Sequence, residues 1–138
     1  MPEFPRVHYP CPGQHGLAPL ASVRHGWLLV AGDLLRDALR GTLSASSRED
    51  CAFDAGYLYA LAAIGVEAAQ AVAHPHPDAL LAAARTLGWP NNAMDPAISH
   101  LMSRYSPRRD GSKAEPLLRW AFQMQKAAAD SLTAQPNP

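Results

Sequence analysis

The stretch Ser46-Ser47-Arg48-Glu49-Asp50-Cys51-Ala52-Phe53-Asp54-Ala55-Gly56-Tyr57-Leu58-Tyr59-Ala60-Leu61-Ala62-Ala63-Ile64-Gly65 decides the fold. Phe53, Tyr57, Leu61 and Ile64 recur three or four apart, and Ala68 and Val72 continue the stripe. Cys51, Leu58, Ala62 and Ala69 make a second stripe at helical spacing. Apolar residues nearly all round a helix predict a central rod contacted on several sides. Ala55, Gly56, Ala60, Ala63 and Gly65 would let neighbouring helices approach closely. Ser46 and Glu49 have the spacing of a capping box, so the helix is expected to begin there. His74-Pro75-His76-Pro77 would break it after Ala73, since proline denies a backbone donor.

The flanking chain has the same character. Alanine, the strongest helix former, supplies 26 of 138 residues. No stretch alternates with period two, so the predicted class is all-α. A first helix is expected from about Leu17 or Arg24 to Leu43, with Leu28, Ala31, Leu35, Ala38 and Leu39 on its apolar face. A third starts at Pro77 and closes at Gly88. A fourth is capped by Asp95, opens with Pro96 and ends before Pro107. A fifth is announced by the Ser112/Glu115 spacing and carries Leu117, Ala121, Met124, Ala128 and Leu132 on one face. Short connections favour antiparallel neighbours. The expectation is a compact antiparallel helical bundle of about five helices over 17–133. An irregular Pro-rich N-terminal arm (1–16) precedes it and a short tail (134–138) follows.

Composition excludes several classes. Hydrophobic residues reach 48% and charged residues 17%, at zero formal net charge. A disordered acidic chain and a whole-chain polycation are both ruled out. Cys11 and Cys51 allow at most one disulfide. No apolar run approaches the ~20 residues of a membrane span. The first residues lack the apolar core of a signal peptide, so a cytoplasmic domain is the expectation.

The chemistry-bearing residues are few. His8, Cys11 and His15 have finger-like gaps but lack a second paired motif, so no metal site is assigned. His74 and His76 would favour a helix C-terminus when protonated. Asp50, Asp54 and Tyr57 share one side of the central helix. The carboxylates could do acid–base work, or they could bind basic residues of a neighbouring helix. Charge favours the second role. Residues 48–78 are net acidic, and residues 85–119 are net basic. The densest basic feature is Arg104-Tyr105-Ser106-Pro107-Arg108-Arg109 with Lys113. Guanidinium forks match phosphate oxygens and a helix N-terminus offers free donors, so Arg104, Tyr105, Arg108, Arg109 and Lys113 form the candidate ligand site. There is no Gly-x-Ser-x-Gly context, no glycine-rich phosphate loop and no Cys-x-x-Cys.

The stretch from Ser47 to Gly65 resembles the central helix of HEPN-type domains, the higher eukaryote and prokaryote nucleotide-binding helical bundles. Arg104-Tyr105, a loop and an amphipathic helix resemble the last part of that fold, giving a resemblance over about 20–133. Active members carry an Arg, then four to six residues, then a His, as an RNA-cleaving pair. None of the ten arginines here has that partner, so the resemblance implies a non-nuclease member. It also implies a binding module or toxin–antitoxin component, with homodimerisation through a helical face.

Three readings follow. The leading one is a non-catalytic interaction module for a phosphate-bearing ligand, nucleic acid or acidic partner, with no cofactor. On that reading Arg108→Glu with Arg109→Glu abolishes binding without unfolding the chain. The second is a degenerate ribonuclease or metal-dependent hydrolase using His25, His74, His76 or His100 with Asp50 and Asp54. The third is a structural homodimer with Trp27, Trp89 and Trp120 partly at the interface.

Overall fold

Amphipathic, alanine-rich segments fold as helices wherever the chain is described. The computed structural model describes residues 20–70, 74–107 and 109–134. These form six helices and no β-strand: α1 (Leu20–Ala38), α2 (Ala45–Ile64), α3 (Val66–Gln70), α4 (Pro77–Leu87), α5 (Asp95–Ser103) and α6 (Ala114–Ala134). A 3-10 turn (Asn91–Met94) leads into α5. The all-α bundle is as expected. The arm with His8, Cys11 and His15 lies outside the described residues, as do residues 135–138.

α2 is the central rod. Every residue from Ala52 to Ala63 is buried. α1 lays Val23, Trp27, Ala31, Leu35 and Ala38 against the core. Leu39 instead is 53% exposed, because α1 stops at Ala38 rather than continuing to Leu43. Arg48 Nε donates to Ala38 O at 2.8 Å, so a cation closes the C-terminal end of α1. Partners of α6 on α2 ascend together: Lys113 meets Glu49, Trp120 meets Gly56 and Gln125 meets Tyr59. α6 therefore runs in the same sense as α2, and α3 to α5 supply the return. Leu117, Trp120, Ala121, Met124 and Ala128 form its buried face.

Several local readings change. The predicted long helix divides at Gly65, whose φ of +92° suits a residue without a Cβ, and residues 71–73 lie outside the described residues. The N-cap of α2 is Ser44, which accepts from Ser47 N at 3.1 Å. Ser46 and Glu49 do not box one another, because Glu49 reaches across to α6. Asp95 lies inside the first turn of α5, and the cap position is Met94, without a side-chain bond. Asp110 accepts from Ser112 N at 2.9 Å, and α6 begins two residues later at Ala114. α4 follows its prediction: Pro77 opens it and Gly88 closes it in the left-handed conformation.

Candidate functional site

Asp50 and Asp54 are four apart on α2, and His100 and Arg104 are four apart on α5 and its C-terminal cap. Two helical i,i+4 pairs of opposite character can meet face to face, and here they do. Arg104 Nη1 and Nη2 donate to Asp54 Oδ1 and Oδ2, both at 2.9 Å. That bidentate fork is almost wholly buried, with side-chain exposures of 8% and 6%. Arg104 Nε lies 3.4 Å from Asp50 Oδ1, and its guanidinium sits 5.4 Å over the Phe53 ring. His100 Nε2 is 3.0 Å from Asp50 Oδ1, with an imidazole 1% exposed.

Arg109 completes the cluster from the loop that joins α5 to α6. Its Nη1 donates to Asp50 Oδ1 at 2.8 Å and to Arg104 O at 2.7 Å. Its Nη2 donates to Ser46 O at 2.8 Å and to Asp50 Oδ2 at 3.2 Å. Arg109 Nε faces Glu49 Oε1 at 3.4 Å. Glu49 is fully buried, and its Oε2 accepts from Lys113 N at 2.7 Å. A carboxylate of α2 thus occupies a free amide at the start of α6, where an anion is favoured.

Three carboxylates therefore meet two guanidiniums and one imidazole. Burial pushes the Asp50 carboxyl up. The hydrogen bonds from His100 and Arg109, with the charges of Arg104 and Arg109, outweigh burial and hold it below the usual range. Such a group is a poor general base. Burial, reinforced by Asp37, Asp54 and Asp50, pushes the neighbouring Cys51 thiol up, which disfavours the thiolate.

The pairing of an acidic α2 with a basic partner segment is therefore what the structure contains. Arg104 and Arg109 point inward and are engaged by carboxylates. Tyr105 is 45% exposed, the Lys113 side chain is exposed, and Arg108 lies outside the described residues. Arg109→Glu is consequently no longer a clean surface variant. It would set a fourth carboxylate beside Glu49 and Asp50 and loosen the loop. Gly111 belongs to the same device. Its φ is +81°, and an added Cβ would meet Ala45 inside contact distance. Gly111→Ala is expected to destabilise by about 1–3 kcal/mol through backbone strain and overpacking. Urea unfolding measures it, and a neutral result would mean the loop does not seat on α2.

The described histidines do not converge. His25 is exposed on α1. His74 joins Tyr57, whose hydroxyl donates to Nδ1 at 2.6 Å, while Nε2–H donates to Ala69 O at 2.7 Å. Burial pushes the His74 imidazole down, against that Ala69 bond. It thus serves the end of α3 as a neutral ring rather than as a cation. His76 caps the start of the next helix instead, its Nδ1 accepting from Asp78 N at 3.0 Å. Its own N–H donates to Tyr57 Oη at 3.0 Å. Among the described histidines, only His100 reaches the α2 carboxylates. The sequence places His100 with Asp50 and Asp54 only as a catalytic alternative, and it does not single out the Glu49 bridge. The matched four-residue spacings of Asp50/Asp54 and His100/Arg104 were the available signal. Among the described residues no group of three or more His, Cys, Asp or Glu could hold a metal ion. No described helix is long and apolar enough to cross a membrane. Comparison with protein-family models, with curated proteins and with solved structures returns no match for this chain.

Proposed function

We propose that the protein is a non-catalytic interaction module, similar in kind to a non-nuclease HEPN domain, that docks an acidic protein segment on the outside of the α5–α6 loop. The observation that carries this is the internal engagement of Arg104 and Arg109. It makes the loop a firm platform and leaves Met102, Tyr105 and Lys113 facing outward, with Met102 76% exposed. Tyrosine and methionine are enriched at protein interfaces, and a rim lysine adds attraction for a carboxylate-bearing partner. Backbone phosphates of RNA reward several unshared cations. Two of the cations offered by the sequence are already divided among Glu49, Asp50 and Asp54. A homodimer, implied by the HEPN resemblance, belongs to the same reading and is checked by light scattering.

Fluorescence anisotropy tests the docking surface with two labelled probes, a Glu-rich peptide carrying one Phe and a single-stranded RNA. The peptide is expected to bind, and Lys113→Glu and Tyr105→Ala each to weaken it about tenfold, or about 1.4 kcal/mol. RNA binding that falls steeply with salt and is lost in Lys113→Glu would replace the protein partner with nucleic acid. Binding of neither probe removes the docking surface.

A degenerate hydrolase has one observation in its favour, the 3.0 Å contact between His100 and Asp50. Asp50 already receives three cationic or imidazole partners and is held ionised, which leaves little drive to take a substrate proton. RNA cleavage that disappears in His100→Gln would establish that reading.

A further inference from the structure

We propose that the cleft between α4 and the C-terminal half of α6 binds a small zwitterion with an apolar side group, the chemistry of a free apolar α-amino acid. The cleft lies about 20 Å along α6 from the Lys113 end and does not depend on the docking surface there.

The cavity measures about 700 Å³, within the range of small-molecule sites. Its apolar lining includes Leu87, Trp89 and Ala127. Trp27 and Trp120 are each 2% exposed, whereas Trp89 is left partly uncovered. The left-handed Gly88 turns the chain out of α4, and Trp89 N is anchored to Ala84 O at 2.9 Å. Trp89 is thereby placed at the wall of the cleft.

The polar part of the lining comes from Thr86 of α4 and from Gln123, Lys126, Asp130 and Ser131 of α6, with Lys126 and Asp130 its two charged groups. Lys126 Nζ donates to Asp130 Oδ2 at 2.8 Å, with both side chains mostly exposed. An exposed pair of this kind adds little stability, so exchanging its partners is nearly neutral. A ligand with one charge complements only one member of the pair. A zwitterion satisfies both: its ammonium meets Asp130, and its carboxylate meets Lys126 and the Gln123 amide. Its side group then lies on Trp89 and Leu87 and leaves water.

Leucine is the probe, with 4-methylpentanoate and 3-methylbutylamine as analogues lacking one charge. Trp89 is the partly exposed indole, so intrinsic fluorescence reports the cleft, and titration calorimetry reads binding independently of it. Leucine is expected to give a saturable emission shift that Trp89→Phe removes. Each one-charge analogue, and each of Lys126→Gln and Asp130→Asn, is expected to weaken binding at least about tenfold, since a charge-assisted hydrogen bond is lost. No saturable signal from leucine by either method overturns the site. So does equal binding of the analogues, or unchanged binding in both charge variants. These residues lie away from Tyr105 and Lys113, so failure here leaves the acidic-peptide result standing.

Discussion

Arg104→Ala is expected to lower the unfolding free energy by about 3–5 kcal/mol, because it takes the bidentate guanidinium away from the buried Asp54 carboxylate. Asp54 is 6% exposed and accepts a bidentate pair of hydrogen bonds from that guanidinium. The loss is a large fraction of the roughly 5–15 kcal/mol that holds a domain of this size together. Replacing both partners separates charge from packing. Arg104→Met with Asp54→Leu removes the stranded group and is expected to recover much of the stability. Urea unfolding of the single and double variants reads this directly. If Arg104→Ala stays within about 0.5 kcal/mol of the parent, a range usual for surface substitutions, the cluster is not the fastening inferred here.

Acid should release the same fastening. Asp50 is held below its ordinary range by His100, Arg109 and Arg104. A depressed carboxyl stabilises the fold fully above its unfolded pKa, and the contribution is lost as pH falls through the folded value. The relevant window therefore lies below about pH 4. There the stability gap between the parent protein and Arg104→Ala should narrow, because the Asp50 carboxylate that Arg104 attracts becomes neutral. A gap of constant size down to pH 2 would show that ionised carboxylates do not carry the effect.

Trp120→Ala is expected to cost about 3–5 kcal/mol by opening a cavity at the α2–α6 contact. The indole stacks at 6.1 Å on Phe53, and its N–H donates to Met94 Sδ at 3.3 Å. Gly56 is its seat. A Cβ there would run into the six-membered ring of Trp120. Gly56→Ala alone should therefore destabilise by about 1–3 kcal/mol. In a Trp120→Leu background the alanine meets a smaller side chain, so the two substitutions should couple by about 0.5–3 kcal/mol. Strict additivity in thermal or urea unfolding would mean that the helices can shift apart to admit the methyl group.

Much of this architecture follows from local rules. The stripes of α2, the Pro77 start and Gly88 stop of α4, and the apolar face of α6 follow from side-chain period and backbone sterics, which act within a few residues. Opposite charge on residues 48–78 and 85–119 already indicated that the carboxylates would find partners inside the bundle. Phe53, Tyr57 and Leu61 of the predicted stripe are buried, whereas Ile64 is half-buried and Ala68, past the break at Gly65, is exposed; their period alone says nothing about which helix covers each side.

The destination of individual polar groups was settled by the tertiary arrangement. Glu49 has the spacing of a local cap, but α6 arrives above it and takes the carboxylate for Lys113 N. Arg104 and Arg109 have the composition of a phosphate site, but packing places Asp54 and Asp50 within hydrogen-bond reach, and a buried guanidinium must be paired. Trp89 and Trp120 are the same residue type. One became core because Gly56 lies beneath it, and the other lines a cleft because Gly88 turns it away from α4. Helix formation is encoded in neighbours along the chain. The use of a charge or a ring depends on what another helix brings within a few ångströms, and no local period carries that distance.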